Sequence, residues 1–147
     1  MIPYLSKIPN NQHKKLPKKI STKKSYLIPR DLIGRILSKM NISIFPLILG
    51  LLDSKNQEII SESVDIFAYM VFHNKSLESL DNFMYLEKLF DLYSNNDLIL
   101  WKIIMASSAF RQDYSIDFLI KINNILNNDI IKQEISRSIE LIEKYNK

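Results

Sequence analysis

The residue types that most often carry out chemistry are sparse in this 147-residue chain. It has no cysteine and only two histidines, His13 and His73. Neither histidine has a second histidine or a carboxylate at the spacing of a metal site or an acid–base pair. No serine lies in a G-x-S-x-G motif, and the two glycines do not form a phosphate-binding loop. The sequence therefore predicts a protein that is not an enzyme and that binds no cofactor and no metal.

One row of acidic residues has the spacing of a helix face. Glu58, Glu62, Asp65 and Tyr69 follow one another at i, i+4, i+7 and i+11, opposite an apolar stripe. This row is the candidate surface for a basic protein partner, because complementary charge speeds and orients docking. The alternative interpretation is that the row is simply the solvated side of its helix, with the first acids placed favourably for the helix dipole.

The first 30 residues are strongly basic. They hold eight Lys or Arg and no acid, whereas residues 31–147 hold 12 basic and 16 acidic side chains. Lysines that neutralise phosphates bind nucleic acid without reading its sequence. Such a segment could also pack on the acidic remainder of the chain or lie on an anionic membrane surface. The candidate phosphate contacts are Lys14, Lys15, Lys18, Lys19, Lys23 and Lys24.

The prolines divide the chain into two parts. Pro3, Pro9 and Pro17 leave no helical or strand period in residues 1–28, which are predicted to be an extended basic arm. Residues 29–147 are predicted to form one helical domain. No apolar run is long enough to span a bilayer, and no signal peptide is evident, so a cytoplasmic protein is expected.

Apolar residues at helical spacing predict about seven helices. Ser54 and Gln57 are expected to form a capping box before the third. The fifth is apolar nearly all round, so it should lie at the centre. Its Trp101, Met105 and Phe110 are interpreted as core residues, with a binding surface as the alternative. The predicted helices cover about residues 30–40, 46–52, 55–73, 83–93, 97–111, 116–126 and 131–142.

Three helical pairs share a pattern. The turns Leu52-Asp53-Ser54, Tyr93-Ser94-Asn95 and Leu126-Asn127-Asn128 each precede a helix with a similar apolar stripe, and Ile60 aligns with Leu100 and Ile131. Over about residues 42–145 this resembles HEAT-like repeats. The resemblance implies a short all-α solenoid of stacked antiparallel hairpins. The turn proline and the Asp/Arg ladder of regular repeats are missing, and an irregular helical bundle is the alternative.

A small, cysteine-free chain with an acidic body is typical of a non-catalytic protein-binding module. One narrower hypothesis is an immunity or antitoxin protein that blocks a basic toxin such as a nuclease. The alternative is a nucleic-acid-associated repeat protein that uses its basic arm. A third hypothesis is a structural subunit that dimerises through an exposed repeat edge.

Overall fold

The computed structural model describes residues 42–146, and the regular secondary structure of this part is all helical, with turns and short loops between the helices. The predicted basic arm at 1–28 and the predicted helix at 30–40 lie outside the described residues. The other six predicted helices are all present, so the all-α prediction is confirmed for the described residues. The helices are α1 (Phe45–Leu52), α2 (Gln57–His73), α3 (Leu80–Tyr93), α4 (Asp97–Ser107), α5 (Asp113–Ile125) and α6 (Asp129–Tyr145), with 3-10 turns at Ile42–Ile44 and Lys75–Leu77.

The even-numbered helices all begin in the same way. Asn56, Asn96 and Asn128 precede α2, α4 and α6, and the side-chain oxygen of each accepts a hydrogen bond from backbone amides in the first turn. For Asn128 the acceptor distances are 3.0 Å to the amide of Ile130 and 3.2 Å to that of Ile131. These bonds satisfy donors that have no partner within a helix, and they fix where each helix starts.

The predicted capping box at Ser54 and Gln57 is wrong. The cap of α2 is Asn56, whose Oδ1 accepts from the amides of Glu58 and Ile59 at 2.9 and 3.2 Å. The hydroxyl of Ser54 instead accepts from the amide of Asn56 at 3.0 Å, so it shapes the turn rather than the helix. Because Asn56 directly precedes Gln57, its side chain caps the amides of the first turn and the helix begins at Gln57.

Helix α4 ends at Ser107, four residues earlier than predicted. Arg111 has a φ of 54°, in the left-handed region that a helix cannot use. Its guanidinium stays in place because it lies 2.7 Å from the Glu78 carboxylate and 5.1 Å from the centre of the Phe72 ring. Glu78 is only 3% exposed, so this pair holds the turn after α4 against the segment that follows α2.

A continuous series of phenylalanine rings forms the core. Ring centres lie 5.0–5.8 Å apart along the series, and most neighbours meet edge to face, a favourable geometry for aromatic pairs. The series contains residues of α1, α2, α3, α5 and the turn after α4. These elements therefore share one connected core. Its members, in order of contact, are Phe45, Phe67, Phe110, Phe83, Phe118 and Phe90.

The helices contact one another in a regular order. Each odd-numbered helix packs on the helix that follows it, as α1 on α2, α3 on α4 and α5 on α6. The even-numbered helices also contact each other in sequence, with α4 between α2 and α6. The prediction that the apolar helix α4 occupies a central place is thus confirmed. Ile60, Leu100 and Ile131, which the sequence aligned, are all buried.

The asparagine caps give a first prediction. Asn128→Ala should lower the free energy of unfolding by about 1 kcal/mol, because two amides at the start of α6 lose their acceptor. Asn128→Asp should cost much less, since aspartate caps equally well. The matched control is Asn127→Ala at the exposed neighbouring position, and urea denaturation measures all three. Equal losses at 127 and 128 would contradict a capping role.

Candidate functional site

The acidic row on α2 is not a uniformly exposed strip. Glu58, Asp65 and Tyr69 are partly exposed, whereas Glu62 is buried and only 5% exposed. The middle of helix α2 therefore has little surface in contact with water. The alternative interpretation, in which this row is simply the solvated side of its helix, does not fit the burial of Glu62. The row points towards α4, because Asp65 reaches a side chain of that helix.

The side chain that Asp65 reaches is Lys102, the only basic residue of α4. The Lys102 Nζ lies 2.6 Å from the Asp65 carboxylate and donates a second hydrogen bond, 3.2 Å long, to the carbonyl of Ser61. Lys102 is 2% exposed and Asp65 is 25% exposed. A buried ammonium needs such partners because its removal from water costs several kcal/mol. The pair thus fixes the facing sides of α2 and α4.

Beside this ion pair, α4 has its few partly exposed positions. Leu98, Trp101 and Met105 are spaced three and four residues apart and are half-buried, while the residues between them are buried. Leu98 and Met105 lie four residues before and three residues after Lys102, so helical spacing places this apolar strip next to Lys102 on α4. We call the combined surface the α2–α4 face; its members are Glu58, Asp65, Tyr69, Leu98, Trp101 and Met105.

The remaining predicted residues are distributed as follows. Phe110 is fully buried, which confirms its interpretation as a core residue. His73 is the last residue of α2, as predicted, and its ring packs edge to face on Phe72 with centres 5.2 Å apart. His13 and the candidate phosphate contacts Lys14, Lys15, Lys18, Lys19, Lys23 and Lys24 lie outside the described residues.

The burial of three charged side chains, Glu62, Lys102 and Glu134, was not predicted from the sequence. The sequence contained a signal for Lys102, because it is the one basic residue in a helix that is otherwise mostly apolar. Glu134 was also detectable, since it follows Ile131 by three residues and precedes Ile135, so it falls within the apolar stripe of α6. It is 1% exposed, and its one charged neighbour among the described side chains is Arg137, 3.2 Å away. Burial raises the pKa of the Glu134 carboxyl to about 7, although the charge and hydrogen bond of Arg137 lower it.

The described residues offer little that resembles a catalytic or metal site. No group of three or more His, Asp or Glu side chains within residues 42–146 is arranged to hold a metal ion. A shallow groove of about 270 Å³ lies between the end of α1 and α3, lined mainly by leucine and tyrosine side chains. At its edge Lys88 and Asp53 form an ion pair in which both side chains are more than half exposed.

None of the helices within residues 42–146 combines the length and apolar character needed to cross a bilayer. Comparisons with protein-family models, curated proteins and solved structures find no match to this chain.

The Asp65–Lys102 pair gives a second prediction. Asp65→Asn should cost about 3 kcal/mol of unfolding free energy, because it takes the closest anionic partner from a buried ammonium. Lys102→Met should cost less, about 1 kcal/mol, because the aspartate left behind is in contact with water. Urea denaturation followed by far-ultraviolet circular dichroism measures both.

The matched control for this prediction is Asp53→Asn in the exposed pair with Lys88. That change should cost under about 1 kcal/mol, since exposed ion pairs contribute little. If Asp65→Asn destabilised the protein no more than Asp53→Asn, the buried pair would not be what fixes α2 against α4.

Proposed function

We propose that this protein is a non-catalytic protein-binding module that docks a basic protein on its α2–α4 face. The observation that carries the proposal is the Asp65–Lys102 ion pair, which joins the helix that bears the acidic row to the helix that bears the apolar strip. A half-buried tryptophan beside partly exposed acids is a composition typical of interface centres, where aromatic anchors supply affinity and charge supplies orientation.

The charge of the described part supports a basic partner. Residues 42–146 hold 15 acidic and nine basic side chains. Of the acids on the face, Glu58 and Asp65 are both in contact with water. A net acidic surface raises the rate at which a basic protein is captured, and an apolar strip then slows its release.

The order of helix contacts supports a HEAT-like arrangement for this module. In α-solenoids each hairpin buries its apolar side on the next one, and the second helices of the hairpins form one continuous surface. The contacts of α4 with both α2 and α6 are those that such stacking requires. The α2–α4 face would then belong to the surface on which solenoids usually bind partners.

The narrower proposal is that the partner is a toxin domain, and that this protein is an immunity or antitoxin inhibitor. A basic nuclease toxin presents the complementary charge, and occlusion of its active surface requires no chemistry from the inhibitor. This proposal predicts that the captured partner loses its activity in a one-to-one complex.

A charge-reversing double variant tests the face. Glu58→Lys combined with Met105→Lys places two positive charges on the α2–α4 face and spares the buried Glu62 and the Asp65–Lys102 pair. We expect it to lose at least about tenfold in affinity for a basic partner, equivalent to about 1.4 kcal/mol. The matched control is Glu140→Lys with Ile125→Lys, which makes the same charge change at exposed positions of α6 and α5.

The measurement is a pull-down from nuclease-treated host lysate, followed by titration calorimetry with the purified partner. Support requires one basic protein in stoichiometric amount, retained by the wild type and the control and lost by the face variant. Recovery of nucleic acid alone, unchanged in the face variant and abolished by deletion of residues 1–28, would instead favour the nucleic-acid alternative. That alternative is supported by the eight basic side chains in the first 30 residues.

A further inference from the structure

Helix α6 packs on α4 and α5 through one stripe of buried residues that contains a carboxylate. Ile131, Ile135, Ser138 and Ile142 form the stripe, and Glu134 lies among them at 1% exposure. An ionised carboxylate in such an interface costs free energy unless donors replace the water it loses.

The interface provides few donors for a negative charge. The Nη1 of Arg137 donates to the two oxygens of Glu134 over 3.2 and 3.3 Å, which is long for a charge-assisted bond. Arg137 itself is 28% exposed, so water weakens its effect. The hydroxyl of Ser138, one turn further along α6, is buried without a hydrogen bond. Glu134 is thus poorly compensated when it is ionised.

The charged side chains of α4 and α5, the helices packed against α6, do not compensate the negative charge of Glu134 either. Lys102 of α4 is held by Asp65 and the carbonyl of Ser61, both on α2. Within the described residues, Arg137 is the charged group that acts on Glu134. The other charged side chains of α4 and α5 are exposed, namely Asp97, Asp113, Asp117 and Lys121.

We propose that α6 is a proton-linked latch, which docks on α4 and α5 when Glu134 is neutral and is released more readily when Glu134 is ionised. Release would uncover the apolar sides of α4 and α5, so pH would set how often that surface is available. This inference is independent of the α2–α4 face, because Glu134 lies on a different helix and faces a different interface.

The sign of the linkage follows from the raised pKa of Glu134, which is about 7 in the docked helix against 4.5 in water. Between these two values the docked form retains a proton that the released form has lost. Docking is therefore strongest at low pH and weakens as pH rises through this range, until both forms are ionised above pH 7.

Amide hydrogen exchange at pH 5 and pH 8 tests the latch, with protection factors corrected for the intrinsic rate. In the wild type we expect the opening equilibrium constant of α6 to rise by about tenfold or more between these pH values. Glu134→Gln keeps the shape and removes the charge, so its α6 amides should show no such rise. The matched control Glu140→Gln, at an exposed position of the same helix, should behave like the wild type.

Three outcomes would overturn the latch: no rise in the wild type, the same rise in Glu134→Gln, or an equal rise in the amides of α1 and α2. The last would mean that pH changes the stability of the whole fold rather than the docking of α6. Should Glu134→Gln fail to fold, a carbon-13 titration of the Glu134 carboxyl in the wild type decides the matter. A midpoint near 7 that coincides with the loss of α6 protection supports the latch, and a midpoint near 4.5 overturns it.

Discussion

The structure depends on the burial of α4, a helix that is apolar on almost every side. Most of such a helix must be covered, and α2, α3, α5 and α6 pack against it, which leaves only Leu98, Trp101 and Met105 of its apolar residues partly exposed. The one cation in α4, Lys102, then has few ways to find a partner. It obtains a carboxylate and a carbonyl from α2, which fixes that neighbour more specifically than apolar contact alone would. Of the other neighbours, α3 and α5 are joined by ring packing, and α3 and α6 have side-chain caps at their first turns.

Periodicity predicted many of the buried apolar residues, because one face of an amphipathic helix must be covered whatever covers it. Ile60, Val64 and Phe67 illustrate this, and all three are fully buried. Periodicity could not predict the burial of Glu62 or the contact between Asp65 and Lys102, because both depend on which helix lies alongside. The cap of α2 was misassigned for a local reason, since Ser54 and Asn56 are both good caps and only the turn geometry decides between them.

The candidate site consequently combines two physical roles in one row of side chains. Asp65 forms an ion pair with Lys102 where α2 approaches α4, so it is part of what holds the domain together, and Glu62 is buried. Glu58 and Tyr69 lie at either end of the row and are partly exposed. A binding surface supported by a buried ion pair changes little in shape on docking, which lowers the ordering cost of binding.

The interfaces of α4 with α2 and with α6 each contain a buried charged group, and they differ in how well they offset the free-energy cost of burying that charge. Towards α2, the ammonium of Lys102 has a carboxylate at 2.6 Å and a backbone carbonyl, and the two helices bring opposite charges together. Towards α6, Glu134 has only an arginine of its own helix, at 3.2 Å or more, and nothing charged from α4 or α5. An ion pair between two helices holds them together, whereas an ion pair within one helix adds nothing to its docking and leaves the cost of burial to the interface. Conformational change is therefore expected at the α6 side of α4, while the α2 side remains fixed.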